Sequence, residues 1–129
     1  MNRRRNAFTL VELLVVALVL SVLLLTALPG YAHSIRSSRH AAANQNAKAV
    51  LKAVQALYAR LGGIDYADPR IDRVAIQVEL GGQIHTNPCT GGNELADYAL
   101  QRSATSASVQ AQAGNVCDPA SLPTFRLGG

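Results

Sequence analysis

Chemistry-bearing residues are scarce in this chain, and their scarcity removes most enzyme classes. Only two cysteines occur among 129 residues, in neither a CxxC nor a Cys-His ligand spacing, so a structural zinc site or a thioredoxin-like redox pair has nothing to be built from. Tryptophan is absent and aromatics make up 5% of the chain, which leaves few rings on which single-stranded nucleic acid could stack. No Gly-rich phosphate loop and no nucleophile elbow surround Ser103, Ser106 or Ser108. The length leaves room for one modest domain, and no internal repeat divides it. An enzyme is not expected, and neither is a cofactor.

Charge is also sparse, and its absence from one region is informative. Between Phe8 and Leu28 the only charged side chain is Glu12, while Arg3, Arg4 and Arg5 stand just before the run. About 20 consecutive apolar residues are what a helix needs to cross a bilayer. The basic cluster ahead of them keeps the N-terminus cytoplasmic by the positive-inside rule. A carboxylate at the centre of such a helix costs roughly 2.5 to 3.5 kcal/mol, less near its end, so Glu12 calls for compensation or a use. The formal charge of +4 is largely due to these arginines: without residues 1–7, nine Lys and Arg face eight Asp and Glu.

The segment Ala7-Phe8-Thr9-Leu10-Val11-Glu12-Leu13-Leu14-Val15-Val16 resembles the N-terminal processing site of type IV pilins and of the related pseudopilins of type II secretion systems. In that superfamily a short basic leader is removed before an apolar residue, usually Phe, with a Glu four residues further on, as Glu12 follows Phe8. One departure is Ala7, where the family normally has Gly. The resemblance covers about the first 30 residues. It implies cleavage between Ala7 and Phe8 by a prepilin peptidase, N-methylation of the new Phe8 amine, and pairing of that amine with Glu12 during subunit docking. It also places a helix kink at Pro29 and Gly30.

The resemblance further implies a membrane-anchored structural subunit that polymerises with itself or with minor pilins, served by an inner-membrane assembly platform and its cytoplasmic ATPase. The chain would be a single-pass inner-membrane protein before assembly, and part of a surface pilus or periplasmic pseudopilus afterwards. Three readings stay open: a type IV pilus subunit for adhesion, twitching or DNA uptake; a secretion pseudopilin; and a secreted binding domain cut from an ordinary signal at Gly30-Tyr31-Ala32. DNA is an unsupported partner, because the basic helix positions lack interleaved aromatics.

The expected fold is α+β, pilin-like, with a leader at 1–7, a membrane or filament-core helix at 8–29, its amphipathic continuation at 30–61 and a small antiparallel sheet with a disulfide loop at 62–129. Ala43, Ala47, Val50, Val54, Leu57 and Leu61 recur at helical spacing, and Gly62-Gly63 supplies the stop. Val74, Ile76, Val78 and Leu80 alternate with Ala75, Gln77 and Glu79, which predicts a strand that returns through Gly81-Gly82 into Gln83-Ile84-His85. Further strands are expected at Tyr98–Arg102, at about Ser106–Ala113 and at Thr124–Leu127. Cys89 and Cys117 fall on the non-cytoplasmic side, where a disulfide persists, and two cysteines allow one intramolecular pairing. His33, His40 and His85 are too few and too dispersed for a zinc site. Asn93, Glu94, Asp97 and Asp118 supply oxygens but no calcium-loop spacing.

Overall fold

A computed structural model describes residues 8–128. The expected leader at 1–7, including the arginines and Ala7, lies outside the described residues. The chain forms two compact units, one ending at Ile35 and one starting at Arg36, and helix α1 (Leu10–Arg60) contributes to both.

In the first unit α1 is helical throughout, including Pro29 and Gly30, and is apolar on all sides. Two hydroxyls in its most apolar stretch are returned to its own backbone: Ser21 Oγ donates to the Ala17 carbonyl at 2.7 Å and Thr26 Oγ1 to that of Leu23 at 2.9 Å. In a medium without water, polar groups must be satisfied inside the helix, and these are.

The second unit is built on the amphipathic part of α1. Ala43, Ala47, Val50 and Val54 are fully buried along the expected stripe, with Leu57 and Leu61 half-buried at its end. The helix stops at a Schellman arrangement. The Gly63 N–H donates to the Tyr58 carbonyl at 2.9 Å and the Gly62 N–H to that of Ala59 at 3.3 Å, both glycines having positive φ.

Three antiparallel strands, β1 (Tyr98–Arg102), β2 (Ser106–Ala111) and β3 (Phe125–Gly128), form a sheet in the order β1-β2-β3. Leu100 lies opposite Val109, and Val109 opposite Phe125. Ala107, Val109 and Ala111 point into the core while Ser106, Ser108 and Gln110 alternate outward. Ile71, Ile76, Tyr98 and Leu122 complete the core; burying each of the three aliphatic side chains is worth about 1.5–3 kcal/mol. A long N-terminal apolar helix with a small antiparallel sheet is the α+β arrangement the sequence predicts.

One element differs in kind. Residues expected to form the first strand are helix α2 (Arg73–Glu79), and Gln83–His85 do not pair as a strand. Asp72 caps α2 by accepting from the Ala75 N–H at 2.7 Å, and Gly81 ends it at positive φ. Ile76 and Leu80, four apart, face inward, whereas Val74 and Val78 are exposed. The apparent alternation of period two was a helical i, i+4 pair, Ile76 and Leu80, with one outward valine before it and one within it. Strand β2 ends at Ala111 rather than Ala113, and β3 is shifted one residue toward the C-terminus.

Candidate functional site

The N-terminal end of α1 gathers the residues singled out by the sequence. Thr9 is the last residue before the helix and Glu12 is its third residue. The Glu12 carboxylate accepts from the Thr9 backbone N–H at 3.1 Å and from the Thr9 hydroxyl at 3.3 Å, while Thr9 Oγ1 accepts from the Glu12 N–H at 3.3 Å. This reciprocal pair is a capping box, which satisfies two of the orphan donors at a helix start. The positive end of the helix dipole further favours the negative charge there.

Sequence reasoning left Glu12 without a local partner and overlooked Thr9. The signal was present, since Thr9-Leu10-Val11-Glu12 has the form of a capping box ahead of an apolar run. The box also fixes where the carboxylate points: it turns back on the Thr9 amide, one residue from the Phe8 nitrogen. Phe8 itself is 76% exposed. Beyond it, the large apolar side chains of Leu10 to Leu28 are all exposed. α1 is the helix among the described residues that is long and apolar enough to cross a membrane.

The remaining candidates lie in the second unit, away from this group in the sequence. Cys89 and Cys117 are joined in a disulfide with Cα atoms 5.3 Å apart, and both are buried in the core. The bridge spans 28 residues and is worth roughly 3 to 4 kcal/mol in the chain-entropy account. Beside it, Asn87 is fully buried. Its Nδ2 donates to the carbonyls of Asp97 at 2.8 Å and Gln112 at 3.0 Å, and its Oδ1 accepts from the Cys89 N–H at 2.9 Å. Tyr98 donates its hydroxyl to the His85 carbonyl at 2.6 Å, and burial pushes its phenol up to about 12.

Two of the oxygen-bearing residues considered for calcium, Asp97 and Asp118, are engaged in turns. Asp97 accepts from Thr90 Oγ1 and from the Glu94 N–H, and Asp118 from the Ala120 N–H. His40 Nε2 accepts from the Asp118 N–H at 3.2 Å, tying α1 to the segment after Cys117. Among the described residues no group of three or more His, Cys, Asp or Glu could hold a metal ion.

No curated protein and no solved structure matches the chain. A family model described as the prokaryotic N-terminal methylation motif matches residues 2–28. That family is structural rather than enzymatic, and its motif implies processing by a prepilin peptidase and handling by filament-assembly machinery in general. With the apolar helix behind it, the motif fits anchoring in the inner membrane before assembly. Over residues 2–28 the chain therefore carries the signature of the type IV pilins and pseudopilins, ahead of an α+β unit consistent with a pilin-like fold.

Proposed function

We propose that this chain is a structural subunit of a type IV pilus. The leader is cut between Ala7 and Phe8, the new amine is methylated, and the subunit enters a helical filament whose core is the apolar part of α1. The observation that carries this reading is an apolar helix, exposed on all sides, whose one charge sits beside the residue that becomes the N-terminus. Such a surface far exceeds what a soluble monomer exposes, and it is covered either by lipid or by other copies of the same helix.

In this mechanism Glu12 has two successive uses. Before assembly its charge is held by the capping box. After cleavage the Phe8 ammonium of its own or a neighbouring copy becomes a partner, and a charge pair in a low-dielectric bundle attracts far more strongly than in water. Pro29 withholds a backbone donor from α1, so the Pro29-Gly30 joint is where the helix bends when packed. The Cys89–Cys117 pair favours a pilus over a secretion pseudopilus, whose main subunits usually lack it.

N-terminal sequencing of the mature chain tests the reading. Phe8 as first residue, with a methylated amine, is the expected result. A chain beginning at His33 is a secreted domain. Loss of surface filaments on deleting the gene separates the pilus from the pseudopilus.

A further inference from the structure

Charge is sorted within the unit that starts at Arg36. From Arg36 to Arg60 there are five Lys and Arg and no carboxylate, whereas Ile64 to Asp97 holds six carboxylates against two arginines. One ion pair joins the two regions, Arg60 to Glu79 at 2.9 Å. Lys48, Lys52 and Arg126 have no carboxylate partner among the described residues. These three cations rim one open groove of about 260 Å³ floored by Leu51, Phe125 and Leu127, with Lys48 Nζ 4.8 Å above the Phe125 ring.

A surface of opposite character lies on the outer face of α2. Val74 and Val78, one turn apart, are 65% and 67% exposed and lie outside the hydrophobic core of the described residues. Two exposed carboxylates and one exposed arginine lie at the N-terminal end of α2: Asp72 caps it, and Glu94 reaches Arg73 at 3.6 Å, so two negative charges against one positive leave this end acidic by one charge.

We infer that the Lys48–Lys52–Arg126 groove receives the Asp72, Val74, Val78 and Glu94 ridge of a second copy of this chain. The inference rests on the filament-subunit reading and adds the contact between the units that lie outside the apolar helix. Charge complementarity selects an acidic partner. The apolar floor selects one that brings aliphatic side chains, which the two valines supply and a phosphate chain does not. Groove and ridge are different patches, so the contact is heterologous, and a heterologous contact whose rotation does not close propagates as an open helix.

The test uses the full chain in its own membrane, with Val78 replaced by a photoreactive benzoylphenylalanine. Irradiation should give a dimer band on a reducing gel, and its cross-linked peptides should contain residues 48–55 or 125–127. In the same chain, Lys52→Glu with Arg126→Glu should lower that band about tenfold or more, through like-charge juxtaposition. Resistance of Cys89 and Cys117 to alkylation reports that the variant is folded. Cross-links that map elsewhere, or a band indifferent to charge reversal, overturn the inference. So does an intact band accompanied by lost retention of duplex DNA, which makes the groove a polyanion surface. Mature mass separates the two readings: a chain beginning at Phe8 that gives no dimer overturns this contact alone, and one not beginning at Phe8 overturns the filament reading with it.

Discussion

Asn87 shows how a single polar side chain can fix the loop side of the small unit. Its amide ties three backbone segments together, and its own backbone also accepts from Gly91 and donates to Gly92. Asn87→Ala removes all three side-chain bonds and strands buried groups, for which about 1–3 kcal/mol each is usual, so a loss of about 2 to 4 kcal/mol is expected after partial relaxation. Urea unfolding of the mature chain in detergent, followed by circular dichroism, measures it; an unchanged midpoint would refute the role. Little of this was legible beforehand. Asn87-Pro88 reads as turn chemistry, and nothing local tells that its partners are Asp97 and Gln112. Gly114 is similar: at φ +55 its missing Cβ makes room for the Cys89 carbonyl, a contact visible only once the chain is folded.

At the scale of elements, what the sequence revealed depended on length. The stripe from Ala43 to Leu61 repeats over enough turns to fix both helix and buried face, and the Gly62-Gly63 stop follows from φ preference alone. α2 is seven residues long, and over that span periods of 2 and 3.6 share positions 76 and 80; only the cap at Asp72 and burial decide between them. The α1 start carries a sharper question, because the carboxylate of Glu12 serves a cap as well as its proposed docking role. Glu12→Gln keeps a side chain able to complete the capping box but removes the charge, while Thr9→Ala keeps the charge and removes the hydroxyl. If charge pairing with the Phe8 amine drives assembly, Glu12→Gln empties the sheared-filament pool while the membrane pool and cleavage stay normal, and Thr9→Ala has a milder effect. Immunoblots of the two pools compare them directly. Equal deficits would assign Glu12 to capping only.

For the molecule as a whole, the division after Ile35 separates two ways of satisfying apolar surface. Every buried core residue of the described chain lies between Ala43 and Leu122, whereas the large apolar side chains from Phe8 to Leu28 are exposed and need lipid or other subunits. A chain beginning at His33 keeps the whole core, the sheet and the disulfide, and it should stay in solution without detergent. In that chain Cys89→Ser should lower stability by roughly 2 to 5 kcal/mol, because the bridge closes a long loop in a unit too small to spare it. The shift in urea midpoint at unchanged slope gives the value. A midpoint matching the parent would mean that Asn87 and the His40 contact hold the loops without the bridge. Precipitation of the parent itself would mean that the apolar helix, not the sheet, keeps the second unit folded.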